Sequence, residues 1–217
     1  YILAAAPPSD DLEMVRAAFR RGWAGAVLKT TSVDGTAVDL KYPMMHSFEV
    51  GAARVDGLGN IDLISEHHAD EIERRVRALK DEFPDRVVIP SIMGGTQDEW
   101  QTLAGRFAEA GADLIECSFS CPQGTLGSRP GAMLGQDPEL VEQVSRWVAE
   151  AAGDTPVIVK LTPLVADIAE VAAAAQRRDG RPHGLMIGAV EGGAQIGQAA
   201  GPGAPHAGGR GHGVAPR

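Results

Sequence analysis

The run Ile115-Glu116-Cys117-Ser118-Phe119-Ser120-Cys121-Pro122-Gln123-Gly124 sets the Cys121 thiol and the Ser118 and Ser120 hydroxyls just beyond an apolar stretch, Ala112-Asp113-Leu114-Ile115. An apolar run that feeds Ser, Cys, Pro and Gly reads as a strand entering a loop. In α/β barrels that strand end is where chemistry is done. A lone cysteine is more often a buried, inert thiol. Here the neighbouring hydroxyls and Gly124 favour a chemical role for Cys121. Two lysines take equivalent places elsewhere. Lys29 closes Gly25-Ala26-Val27-Leu28, and Lys160 closes Pro156-Val157-Ile158-Val159. One lysine at a strand end commonly snorkels to water. Two of them, both at C-terminal strand ends, are better explained by an anionic ligand. His67-His68 reads as an exposed helix start, and Asp137 and Glu139 as helix-opening acids. Two cysteines four residues apart make no disulfide framework and too few ligands for an iron–sulfur cluster. No metal is expected.

These residues need strands to carry them. Apolar runs near 1–5, 24–29, 86–92, 112–118 and 156–161 alternate with helical spacing over 9–22, 67–82, 94–110, 136–148 and 165–176. Ser9 is the expected cap of the first helix and Gly22 its end. Asp137 caps the fourth, with Pro138 in its first turn. The stretch 31–60, rich in Gly, Asp and Pro, reads as one long loop of the kind that is usually functional. Strongly apolar strands alternating with amphipathic helices predict a parallel sheet covered on its faces. The unit lengths suit a (β/α)₈ barrel or a doubly wound sheet. No Gly-x-Gly-x-x-Gly follows the first strand, which counts against a dinucleotide-binding sheet.

The chain has 217 residues, 44% hydrophobic and 23% charged, with a formal net charge of −9. That balance argues against a nucleic-acid partner. No apolar run approaches the ~20 residues of a membrane span, and no signal peptide is visible. A reduced, cytoplasmic compartment is the default expectation. The chain starts at Tyr1 inside a strand-like run, so a cut N-terminus is expected. Composition changes after Gln176: residues 177–217 hold 12 of the 27 Gly and five Arg against Asp179 and Glu191. Within them Gly184–Val190 is a candidate strand. The rest is expected to be disordered.

Six spaced runs carry a resemblance: Val27-Leu28-Lys29-Thr30, Asn60-Ile61-Asp62-Leu63-Ile64-Ser65, Pro90-Ser91-Ile92-Met93, Phe119-Ser120-Cys121-Pro122, Gly135-Gln136-Asp137-Pro138-Glu139-Leu140-Val141 and Val159-Lys160-Leu161-Thr162-Pro163. In order and spacing they resemble the flavin-containing, pyrimidine-reducing half of dihydropyrimidine dehydrogenase, within the wider dihydroorotate dehydrogenase family. The similarity covers about residues 1–176. It implies a TIM (β/α)₈-barrel fold, present as the first five or so βα units, that binds FMN and reduces the C5–C6 double bond of uracil or thymine. By position, Cys121 matches the cysteine that gives a proton to C5. Lys29 and Lys160 match flavin-contacting lysines, Thr30 a backbone contact to the flavin, and Ala5 the contact on the first strand. Asn60, Ser118, Phe119 and Ser120 match the pyrimidine-contacting positions. Ser118, Gln123, Leu164 and Ala5 stand where the family usually has Asn, His, Asn and Ser.

The resemblance also implies electrons received from an iron–sulfur and FAD module that oxidises NAD(P)H, and an oligomer. The loops that hold the flavin phosphate in such barrels follow later strands, and nothing in 177–217 matches them. The Gly/Ala/Pro/Arg-rich segment reads like GC-rich coding DNA out of frame. The expectation is therefore a partial barrel over 1–176 followed by a frameshifted or wrongly joined segment, inactive by itself. A dihydroorotate-oxidising enzyme and a non-catalytic truncated barrel are the alternatives.

Overall fold

The computed structural model describes residues 1–34, 45–50, 53–58, 64–120, 133–177, 186–189 and 196–197. Strand β1 (Ile2–Leu3) leads through a 3₁₀ turn, Pro7–Asp10, into helix α1 (Leu12–Arg20) and strand β2 (Gly25–Thr31). A hairpin follows, β3 (Met45–Val50) and β4 (Ala53–Leu58). Then come α2 (Ala69–Glu82), β5 (Val87–Ile92), α3 (Gln97–Glu109) and β6 (Ile115–Ser118). A second 3₁₀ turn, Leu134–Gln136, enters α4 (Pro138–Ala152). Strand β7 (Val157–Leu161), α5 (Ile168–Gln176), β8 (Met186–Ala189) and β9 (Ile196–Gly197) complete the described elements.

The main sheet runs β1-β2-β5-β6-β7-β8-β9. Every neighbouring pair up to β8 is parallel, and β9 turns back antiparallel on β8. The five expected strands thus pair in chain order with helices between them, the pattern of a partial (β/α) barrel. The candidate strand in Gly184–Val190 takes the sixth place as β8.

Strand alternation divides the sheet chemically. Ala26 and Leu28 of β2, Val88 of β5, Ile115 and Cys117 of β6, and Val157, Val159 and Leu161 of β7 pack with the helices in one large core. Phe19, Ile72, Leu79, Trp100, Phe107, Val141 and Val144 are the helical side of that core. The intervening residues Val27, Ile89 and Ile158 form a separate small cluster with Ala5, Val87 and Leu114 on the other face. That second face is the inside of the curve.

Local chemistry starts and stops the helices. The Asp11 carboxylate accepts from Met14 N at 2.9 Å, Thr96 Oγ1 from Glu99 N at 3.3 Å, Asp137 from Leu140 N at 3.1 Å and Asp167 from Ala169 N at 2.8 Å. Gly22, at φ 89°, makes the left-handed turn after α1.

Three expectations are corrected. Asp11, not Ser9, caps α1: Ser9 is spent within the Pro7–Asp10 turn, where its Oγ donates to Ala6 O at 2.9 Å. The stretch 31–60 is not one loop, since its second half pairs as the β3–β4 hairpin with Phe48 opposite Val55. The strand expected over 112–118 pairs only over Ile115–Ser118, so it starts later than expected, with Glu116 inside the sheet. Among the described residues no helix is long and apolar enough to cross a membrane.

Candidate active site

The inner face turns polar toward the C-terminal ends of the strands. Above Val27, Ile89 and Ile158, each successive inward position carries a polar group. On β5 it is Ser91, on β6 Glu116 and then Ser118, and on β7 Lys160, with Thr162 just past the strand. Lys29 and Thr30 occupy the end of β2, where the pairing with β5 shifts register between Leu28 and Thr31. All are buried, with Lys29, Glu116 and Lys160 only 5%, 8% and 9% exposed.

Four of these side chains form a continuous chain across four neighbouring strands. Lys160 Nζ lies 2.9 Å from Glu116 Oε1. Ser91 Oγ donates to the same Oε1 at 2.7 Å. A serine hydroxyl has one proton to give, so Thr30 Oγ1 is the donor in its 2.9 Å contact with Ser91 Oγ. A buried ion pair is stable only when its remaining valences are met, and the serine meets one of them here.

Beside this chain is a pocket of about 180 Å³, lined by Ala4, Ala5, Val27, Glu116, Ser120, Met133, Lys160 and Thr162. Small side chains at positions 4 and 5 leave one wall open, and Val27 makes an apolar floor. The backbone just past β6 and before α4 is tied down beside it. Phe119 N donates to Lys160 O at 3.1 Å, and Gly135 N donates to Phe119 O at 2.9 Å. A Cβ at position 135 would lie 2.9 Å from Phe119 O, which is why glycine stands there. Gln136 Nε2 then donates to Leu164 O at 3.0 Å, joining the loops that follow β6 and β7.

The entrance to α2 is fastened to β2 in the same way. Ser65 N donates to Thr30 O at 2.7 Å, and Ser65 Oγ donates to Asp10 Oδ1 at 2.7 Å. Arg75 bridges this cluster to His67 Nε2 at 3.0 Å and to Glu71 at 2.8 Å. Among the described residues no group of His, Cys, Asp and Glu side chains is arranged to hold a metal ion.

Of the sequence-derived candidates, Ala5, Ser120 and Lys160 line the pocket. Thr30 joins through Ser91, and Lys29 and Ser118 are buried at the same strand ends. The ring of Phe119 faces the helix layer instead. It is fully buried there and packs edge-on against Trp100, centroids 5.8 Å apart, so what it brings to the site side is backbone. Asn60 and Cys121 lie outside the described residues. Ser91 and Glu116 were missed as site residues. Their signal was parity: each is a polar residue at an inward position of its strand, on the same alternation as Lys160.

A family model described as dihydroorotate dehydrogenase matches residues 56–209. The NAD-dependent dihydropyrimidine dehydrogenase subunit PreA of Escherichia coli is 38% identical over 178 residues, 82% of this chain and 42% of that protein. The chloroplastic dihydropyrimidine dehydrogenase (NADP(+)) of Arabidopsis thaliana is 34% identical over 178 residues, 79% of this chain and 42% of that protein. The catalytic subunit of dihydroorotate dehydrogenase B (NAD(+)) from Pyrococcus abyssi is 34% identical over 172 residues, 76% of this chain and 50% of that protein. The chain therefore spans half or less of the length of these relatives.

Proposed function

The chain belongs to the dihydroorotate dehydrogenase family, and on that premise we propose that it is the pyrimidine-reducing barrel segment of an FMN-dependent oxidoreductase. The substrate is uracil or thymine, reduced at the C5–C6 double bond. The observation that carries this reading is the buried polar band on the inner face, with Lys160 lining a pocket walled by Ala4 and Ala5. The donor set suits a flavin: an ammonium for the electron-rich edge of the ring, small residues where a flat ring needs room, and an apolar floor. FMN bound there would supply the hydride chemistry.

The chain's own residues have distinct roles. Lys29 and Lys160 hold positive charge beside the ring, and Thr30 and Ala5 border it. Asn60, Ser118, Ser120 and the backbone at Phe119 orient the pyrimidine through its amide edge. Cys121 Sγ gives a proton to C5; a thiol is mostly protonated at neutral pH yet able to part with its proton. Electrons come from a partner subunit or module that oxidises a nicotinamide, in keeping with relatives named as subunits. We place the protein in the cytoplasm as an oligomer. The division into a barrel segment over 1–176 and a segment of foreign composition over 177–217 is part of the same proposal. Resequencing the codons for residues 170–217 tests it.

The full-length enzyme, with its barrel complete, titrated with FMN tests the cofactor, since the segment alone is expected to be inactive. Binding should quench flavin fluorescence at one equivalent. Reduced, bound FMN should then be reoxidised by uracil and not by orotate. Reoxidation by orotate alone would assign the dihydroorotate reaction, and absence of FMN binding would remove both.

A further inference from the structure

The Glu116–Lys160 pair sets a problem. Its carboxylate is as buried as the lysine and lines the same pocket, 8% exposed against 9%. An ammonium meant to stabilise negative charge on a ligand gains nothing from a carboxylate 2.9 Å away. A carboxylate there lowers the net charge of the pair to zero. The inner neighbours of Glu116 on its level are both polar, Ser91 and Lys160. Its surroundings keep it in place. Ser91 Oγ, accepting from Thr30 Oγ1, donates a hydrogen bond to Oε1, and the strand register sets Ser91 directly opposite Glu116.

We propose that Glu116 is a positioning residue that sets the redox poise of the bound flavin by offsetting the charge of Lys160. This rests on the flavin reading above and deepens it. Lys160 fixes a cation near the ring, and Glu116 weakens the field that cation exerts by turning it into one end of a dipole. The reduced flavin, which carries the extra negative charge, is thereby held less tightly than a bare lysine would hold it. The protein then keeps its reduced flavin willing to pass hydride to an electron-poor double bond.

The test is the midpoint potential of FMN bound to the protein, read by spectroelectrochemistry in four forms: wild type, Glu116→Gln, Lys160→Met and the double variant. Glutamine keeps an oxygen to accept from Ser91 and Lys160 but carries no charge. Freed of its counter-charge, Lys160 should favour reduced over oxidised FMN by about tenfold, an upward shift of about 30 mV for a two-electron couple. Lys160→Met should move the potential down by a comparable amount, because a bare carboxylate remains. The double variant, neutral like the native pair, should return close to wild type. It also leaves no lone buried charge, so it keeps the test informative if Glu116→Gln fails to fold. Equal potentials in Lys160→Met and the double variant would overturn the inference, as would a downward shift in Glu116→Gln. A wild type that binds no FMN would overturn the flavin reading and this inference with it.

Discussion

Lys160 Nζ sits 2.9 Å from Glu116, with side-chain exposures of 11% and 10%. Breaking such a pair from one side strands a buried charge, which costs about 3–5 kcal/mol. Lys160→Met should therefore unfold in less urea than the double variant Lys160→Met/Glu116→Gln, although the double variant changes more atoms. Equal midpoints would mean that the two charges do not feel each other. Cys121 makes a different prediction, about rate and not stability. Cys121→Ala should retain FMN while pyrimidine reduction falls by about 10²–10⁴, the usual worth of a positioned acid. Cys121→Ser should fall between, because a hydroxyl is a weaker acid. Reoxidation by uracil at the wild-type rate in Cys121→Ala would remove the thiol from the chemistry. Lys29 and Lys160 were readable from the chain because each interrupts an apolar run. Glu116 was not, since it stands inside the expected strand 112–118 and nothing local shows that its side chain faces the pocket. The start of pairing is displaced because Asp113 is held by Lys80 Nζ at 2.8 Å and accepts from Val88 N at 2.8 Å. Those are long-range contacts that a local apolar pattern cannot express.

Lys80 reaches from α2 to the opposite end of the sheet from the pocket. Besides Asp113 it donates to Arg86 O at 3.0 Å and Pro84 O at 3.3 Å, locking the turn that enters β5 to the turn that enters β6. Lys80→Met should cost about 1–3 kcal/mol in chemical denaturation, the penalty for acceptors left without their donor. FMN affinity of the folded protein should hold, since the pocket lies at the other strand ends. A loss of affinity without a loss of stability would mean that the two ends are coupled. The order of the five parallel strands was legible because strand and helix periodicities alternate cleanly. The β3–β4 hairpin was not: a run with Gly51, Gly57 and Gly59 looks like loop composition, and pairing between two marginal strands is a property of neither alone. The cap of α1 shifted for a related reason, because Pro7-Pro8 forms its own 3₁₀ turn and consumes Ser9 before the helix begins.

The helix layer is laced from outside by ion pairs. Arg16 of α1 binds Glu82 of α2, Arg106 of α3 binds Asp70 and Glu73 of α2, and Arg177 binds Glu142 of α4. The Arg106 guanidinium holds the Asp70 carboxyl below its ordinary value, Arg77 and then Arg106 do so for Glu73, Arg16 for Glu82 and Arg177 for Glu142. A carboxyl lowered on folding stabilises the fold above its unfolded value, and that contribution disappears as pH falls through the lowered one. Thermal stability should therefore be level above about pH 5 and decline from there toward pH 3. At neutral pH added salt should cost a little of it. A melting temperature that rises on acidification from pH 6 to pH 4 would contradict this. The separation of inner from outer face gives the strands a grammar with a period of two. In β7, Ile158 and Lys160 face the pocket side, while Val157, Val159 and Leu161 face the helices. Deleting one residue before Lys160 would trade the two sets, driving an ammonium into the hydrophobic layer and a leucine into the pocket. Deleting two would preserve the phase and shift only the level. Single-codon indels in these strands should thus be lethal to folding and chemistry together, and genetic variation in length should be confined to the loops or come in pairs.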